Sequence, residues 1–212
     1  MRKVNKLYHA KYGKNQSEMK GYSALVNRIR IRLLSKAINP SSEDQILEIG
    51  CNDGLLLSEI ARHGASVVGI EVNEEIIKLS HHDNIQLMDA TALHFGDATF
   101  DKVYSCHVLE HIPDLEKALA EVCRVLRPGG RFISLFPYEP FRGARALKDS
   151  LREGKGLSHA RQLHLHKLSV RKIKSLTSSI PFRLEQSKIV FTPFPDGLVI
   201  LVKDSHNFAA HG

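Results

Sequence analysis

The sequence predicts an α/β fold built on a mostly parallel sheet with helices on both faces. Three observations carry that expectation. Short apolar runs at 45–49, 67–71, 85–88, 101–106 and 131–136 alternate with helical patterns at 55–63, 73–81 and 114–126. Strand–helix–strand repeats of this kind pair in parallel and bury both faces of the sheet. The stretch Ile46-Leu47-Glu48-Ile49-Gly50-Cys51-Asn52-Asp53-Gly54 is an apolar strand, an acid and a glycine turn, and a helix opening follows at Leu55. A strand, a tight turn and a helix start form the geometry of a nucleotide pocket. Finally, Glu71 stands 21 residues after Gly50, at the end of the next apolar run. A carboxylate there can accept hydrogen bonds from both ribose hydroxyls of an adenosine.

The 212 residues suit one domain with a full core. No run of ~18 apolar residues occurs, so no transmembrane segment is expected. The start MRKVNKLYHAKYGKN has no apolar stretch of the signal-peptide kind. Cys51, Cys106 and Cys123 show no metal spacing and cannot all pair, which suits a reducing, cytoplasmic setting. Charge is unevenly spread. Residues 1–36 hold ten Lys/Arg against one acid, residues 37–137 seven against sixteen, and residues 138–174 ten against three. The basic flanks suit an anionic substrate, a lipid headgroup surface or RNA, or else are solvated helix faces.

Taken in order, residues 1–40 form an N-terminal helical cover. Its first twenty residues have little periodicity, with Tyr8, His9 and Tyr12 the notable side chains. An amphipathic helix over 21–38 follows, and Asn39-Pro40 ends it. The core runs over 45–136. In it, Asp114 caps the helix at 114–126, and Arg127-Pro128-Gly129-Gly130 turns the chain into the fifth strand. Residues 137–168 hold prolines, glycines and basic residues, with a short helix at 144–152. A connection this long, leaving the C-terminal end of a central strand, reads as a lid over a substrate. Residues 169–203 supply a helix near 170–179, capped by Ser169, and strands at 183–191 and 198–203. Pro193, Pro195 and Gly197 fall between the strands, which pair as an antiparallel edge hairpin. Residues 204–212 read as a frayed tail.

Gly50 and Gly54 are spaced as the outer glycines of GxGxG, with Asn52 in the middle slot. Asn tolerates the left-handed region better than most residues. The stretch resembles motif I of class I S-adenosylmethionine (SAM) dependent methyltransferases. Later segments extend the resemblance. Asp89-Ala90 is similar to the family's adenine-facing acid and following backbone N–H. Phe100-Asp101-Lys102-Val103-Tyr104-Ser105 resembles its fourth strand, Val108-Leu109-Glu110-His111-Ile112 its post-strand turn, and Val125 to Gly130 its proline–glycine turn. Together they cover about residues 45–136, in order and at family spacing. The likeness is nearest to the small-molecule "type 11" branch, with its ubiquinone and menaquinone enzymes, and fades before residue 40 and after about 140.

The resemblance implies a Rossmann-like class I methyltransferase fold: a mostly parallel seven-stranded sheet with an antiparallel C-terminal hairpin and a lid insertion. It implies SAM as cofactor, held at Glu48, Gly50, Cys51, Asn52, Gly54, Glu71, Val72, Asp89, Ala90, Ser105 and Cys106. It implies methyl transfer to a small or lipid-linked acceptor, which the basic flanks make anionic. The competing reading is a non-catalytic subunit of the same fold that binds a partner, RNA or membrane through those flanks. An NAD-binding dehydrogenase is disfavoured by the missing GxGxxG.

Methyl transfer needs alignment, exclusion of water and, for an oxygen acceptor, a base near neutral pKa. His107 at the fourth strand's end is the first candidate, followed by His111 and His164. Tyr138, Arg142, Arg145 and His166 are the expected acceptor-side residues. His107 to His111 also match HxxEH, a zinc-protease pattern that requires a helix. Here the motif straddles a strand end before Pro113, so no metal is expected. Some quinone-pathway enzymes that this stretch resembles do hold a cation there, through a carboxylate where this chain has His107.

Overall fold

The computed structural model describes residues 22–80, 82–152 and 154–205. The expectations for residues 1–20, and for the tail from 206 onward, lie outside these residues. Seven strands form one sheet in the order β3-β2-β1-β4-β5-β7-β6. They are β1 (Gln45–Ile49), β2 (Ser66–Glu71), β3 (Ile85–Leu87), β4 (Phe100–Cys106), β5 (Leu126–Pro137), β6 (Phe182–Phe191) and β7 (Pro195–Lys203). Strands β1 to β5 pair in parallel, and β7 pairs antiparallel with both β5 and β6. The expected fold class is therefore the observed one.

Alternation along the strands divides the core in two. Leu47, Ile49, Val103 and Phe132 face one side. There they meet Leu115, Leu119 and Val122 of α4 (Leu115–Val125), and Ile173 and Leu176 of α7 (Val170–Leu176). Ile46, Tyr104, Ile133 and Leu198 face the other side. They pack with Leu34 and Ile38 of α1 (Tyr22–Ile38), and Leu57 and Ile60 of α2 (Leu55–Ala61). The short α3 (Glu74–Leu79) follows β2.

The caps form as their sequences require. Asp114 accepts the Lys117 N–H at 3.2 Å, and Ser169 accepts the Lys172 N–H at 3.1 Å. Asn39 ends α1 with a left-handed backbone at φ +47°, its N–H donating to Ser35 O.

Three boundaries differ from the sequence reading. Strand β5 begins at Leu126, so Arg127 to Gly130 lie inside it, and a register shift between Phe100 and Lys102 on β4 absorbs the irregular stretch. Strand β7 begins at Pro195, and Pro195 to Gly197 pair with Phe191, Phe136 and their neighbours. Proline is tolerated at a first strand residue. Gly197 is there because the Phe136 ring lies against it; a Cβ would stand 2.4 Å from that ring. The segment after β5 holds a second helix besides α5 (Ala144–Arg152), namely α6 (Leu157–Leu163). Ala160 and Leu163 of α6 bury against Ala146. Neither His164 nor His166 lies on a strand.

The α1–β1 link is tied to β4 by one polar knot. Lys102 Nζ donates to Asp44 Oδ2 at 2.6 Å and to Asn39 O at 2.8 Å, and the Ser41 N–H donates to Asp44 at 2.6 Å. Burial raises the Asp44 pKa, but Lys102 and Ser41 outweigh it and the net shift is downward. A carboxylate with a lowered folded pKa contributes stability above its unfolded pKa of ~3.9 and loses it as pH falls through the folded value. Asp44→Asn should therefore cost about 1–3 kcal/mol at neutral pH. In urea unfolding, the gap between the two proteins should close below about pH 4.

Candidate active site

Loops at the carboxyl ends of β1, β2 and β3 converge on a cavity of about 810 Å³. Strand β1 is flanked by β2 and β4, so the chain diverges here to opposite sides, as it does at the ligand crevice of open α/β sheets. The β1–α2 turn is left-handed at Gly50 (φ +69°) and at Asn52 (φ +52°). A Cβ on Gly50 would stand 2.5 Å from Val108 Cγ2, so only glycine lets the turn pass the β4 loop.

Glu71 ends β2 and is 2% exposed. Its Oε2 accepts the Asn52 N–H at 3.1 Å, and its Oε1 accepts the Val72 and Asn73 N–H groups at 2.8 and 3.1 Å. One carboxylate thus fixes two turns while it borders the cavity. Asp89 is exposed, and its Oδ1 accepts the Thr91 N–H and hydroxyl at 2.8 and 2.9 Å. Ile49, Ile70, Met88 and Val108 supply apolar wall. A buried acid, an exposed acid one strand away and an apolar wall fit an adenosine-bearing cofactor.

Beyond β4 lies a cluster of titratable side chains. His107 leaves the strand with φ +56°, a backbone that a non-glycine residue holds only under constraint. Its Nε2 is 3.2 Å from Asp196 Oδ2, and its Nδ1 is 3.8 Å from Glu110 Oε1. Asp196 is fully buried at the start of β7. It also meets Arg145 Nη1 at 3.3 Å, Arg30 Nε at 3.8 Å and the Thr192 hydroxyl. His111 sits on a 3₁₀ turn, Leu109–His111, with Nδ1 2.7 Å from Leu163 O. His164 is buried, with Nδ1 2.9 Å from Glu139 Oε1.

Burial, reinforced by Arg30, lowers His107 to about 4, and burial with His164 lowers His111 to about 3. Burial raises Glu110 to about 7. Asp196 moves the other way: burial raises it, but His107, Thr192 and Arg30 outweigh burial, and its pKa falls. At neutral pH His107 is therefore a neutral imidazole beside an ionised Asp196, and His111 is a neutral imidazole beside Glu110.

The expected residues divide between the cavity and its surroundings. Gly50, Glu71, Val72, Asp89, Ala90, His111 and His166 line it. Glu48 does not. It faces the α1–α2 side of β1, where its Oε2 accepts the Tyr104 hydroxyl at 2.8 Å and burial pushes its pKa well up. Ser105 is buried and bonded to Ser134 at 3.0 Å. Cys51, Asn52 and Gly54 shape the turn without reaching the cavity wall, and Cys106 is also off it. Nor do His107, His164, Tyr138, Arg142 and Arg145 line it. Arg142 Nη1 donates to Leu165 O at 3.2 Å, and Tyr138 is exposed.

Sequence reasoning does not single out Asp196, Glu139, Thr192 or Arg30. Asp196, between a proline and a glycine, has the composition of a turn. Arg30 did carry a signal: it precedes Leu34 and Ile38 by four and eight residues, which puts it on the buried face of α1.

Fold and site together define a class I methyltransferase architecture. Residues 47–134 match the family described as "Methyltransferase domain". This stretch, 88 of the 212 residues, resembles that family, and the sheet around it has the class I fold expected above. A sterol 4-C-methyltransferase, strm-1, of Caenorhabditis elegans is 32% identical over 110 residues, covering 47% of this chain and 33% of that protein. A ubiquinone biosynthesis O-methyltransferase of Mesorhizobium japonicum is 37% identical over 103 residues, covering 45% and 41%. The chain spans half or less of the length of these relatives. In fold it is similar to the 1,6-didemethyltoxoflavin-N1-methyltransferase of Burkholderia thailandensis, solved with S-adenosylhomocysteine. That similarity has a TM-score of 0.63 at 18% identity, covering 84% of this chain and 78% of that one.

Removing the acid at the end of β2 should be felt at the cofactor. Glu71→Ala is expected to weaken S-adenosylhomocysteine binding by roughly 1–3 kcal/mol. Calorimetry checks this, and an unchanged affinity would remove Glu71 from the site.

Proposed function

We propose that the chain transfers a methyl group from SAM to a small or lipid-linked anionic acceptor and releases S-adenosylhomocysteine. The observation that carries this reading is the Glu71 carboxylate, which is hydrogen-bonded into the glycine turn and borders a cavity that reaches His111. Bound SAM supplies an already activated methyl on its sulfonium. The chain's part is to hold adenosine at Glu71, Val72, Asp89 and Ala90, and to exclude water with Val108, Ile112 and Leu115. The proton of an oxygen acceptor falls to the cluster at the end of β4, which holds His107, His111 and His164. A cofactor cavity that reaches this cluster at His111 favours catalysis over a non-catalytic SAM-fold subunit.

The acceptor side supports an anionic, partly apolar substrate. Tyr138, Phe141, Phe191 and Phe194 are exposed, and the Arg145 guanidinium lies 4.7 Å over the Phe194 ring. These exposed aromatic rings, together with the solvent-facing Arg142, suit a lipid-linked acceptor or the headgroups that surround it. No helix among the described residues is long and apolar enough to cross a membrane. The proposed setting is the cytoplasm, which the three free cysteines suit, with peripheral membrane contact through the basic flanks.

Incubation with methyl-labelled SAM and a panel of anionic metabolites should give labelled product, inhibited by S-adenosylhomocysteine. Tight NADH binding with no response to S-adenosylhomocysteine would end this reading. Substrate affinity should fall as salt rises, because exposed charges are screened beyond ~8–10 Å. Arg142→Glu should raise the acceptor KM about two- to fivefold, as an exposed charge pair allows, and leave the KM for SAM unchanged. A neutral preferred substrate indifferent to salt would leave the exposed rings and Arg142 as a docking surface.

A further inference from the structure

We propose that Glu110, His111 and His164 form a binding site for one divalent transition-metal ion. A ligand atom from each of the three lies within 4.8 Å of the other two, and His111 Nε2 is already 3.7 Å from Glu110 Oε1. Ligand atoms around a tetrahedral ion at ~2.1 Å stand ~3.4 Å apart, so about 1 Å of side-chain movement closes the set.

Three features separate this cluster from an ordinary polar interior. The first is tautomer control. His111 Nδ1 is hydrogen-bonded to the Leu163 carbonyl, and His164 Nδ1 to Glu139 Oε1. Both acceptors require a protonated Nδ1, so in the neutral form of either ring it is Nε2 that carries the lone pair a metal would take. Carboxylate and carbonyl partners of this kind orient metal-ligating histidines. Glu139 is itself fixed, accepting the Gly143 and Arg145 N–H groups at 3.1 and 2.7 Å.

The second feature is Glu110, which is 1% exposed, with neither carboxylate oxygen in a hydrogen bond. A buried carboxylate without a donor is costly, and a bound cation removes that cost. The third is that the two ligand segments are locked together. The Leu165 and His166 N–H groups both donate to the Glu110 carbonyl, at 2.8 and 3.2 Å.

The third ligand comes from residue 164 and not from the HxxEH pattern, because His107 Nε2 is turned to Asp196. This departs from the sequence expectation of no metal, which rested on local spacing alone. Two imidazoles and a carboxylate suit zinc, cobalt, manganese or iron, and not magnesium or calcium with their all-oxygen preference. His111 also lines the cofactor cavity. An ion here would offer open positions to an acceptor oxygen. That consequence rests on the methyl-transfer reading, but metal binding does not.

The test is titration of the chelator-treated full chain with Co²⁺, followed by absorbance, and with Zn²⁺, followed by calorimetry. S-adenosylhomocysteine binding is measured on the same preparation. One equivalent of each metal should bind. Glu110→Gln and His164→Ala should abolish that binding, and Glu139→Gln should weaken it ~10–100-fold. His164→Cys should keep the site and add thiolate absorption to the Co²⁺ spectrum. Replacing the exposed His63 should change nothing. Wild-type protein that takes up neither metal, or variants that bind it unchanged, would overturn the site. Metal uptake without S-adenosylhomocysteine binding would instead count against the cofactor reading alone.

Discussion

The half of the cavity built on β1 and β2 depends on one carboxylate. Glu71 is buried at a strand end, where an acid must find donors or lose its charge. It finds three backbone N–H groups, one in the glycine turn after β1 and two in the turn after β2. Those bonds hold Asn52 in its left-handed conformation and start α3 at Asn73, whose side chain accepts the Glu75 N–H. The cavity wall is therefore organised before any ligand arrives, which is the condition for binding energy to be used in alignment instead of ordering.

What could be read from the sequence follows the range of the interactions. The turn, the acid 21 residues on, and the caps at Asp114 and Ser169 depend on neighbours within a few residues. Their residue types announce them. The second half of the site is assembled from β4, β7, α1 and the segment after β5, and no local pattern joins Arg30, Glu139, His164 and Asp196. Pro195 and Gly197 actively mislead, because both are turn residues by composition. They sit in a strand because proline can open one and because the Phe136 ring leaves no room for a Cβ. Only the packed sheet supplies that second fact.

The two halves also differ in electrostatics. Around Glu71 the charge is satisfied by backbone donors. Around His107 it is satisfied by other side chains, with Asp196 shared between an imidazole, two guanidinium groups and a hydroxyl. Such a network holds geometry only while every member is present, since removal of one leaves a buried charge exposed to a low dielectric. The left-handed backbone of His107 is the local sign of that over-determination.

This network changes what the basic flanks mean. The uneven charge along the chain suggested surfaces held out for an anion. Yet Arg30 from the first flank and Arg145 from the second both turn inward to Asp196, each side chain 20% exposed. Part of the flanking charge is therefore structural, and it clamps α1 and α5 onto the end of β7. Arg142 is different: it is exposed, with a carbonyl at 3.2 Å as its partner. A count of lysines and arginines cannot separate these roles, whereas burial can. A guanidinium facing a buried carboxylate is committed to the fold, and one facing solvent is free to meet a substrate or a headgroup.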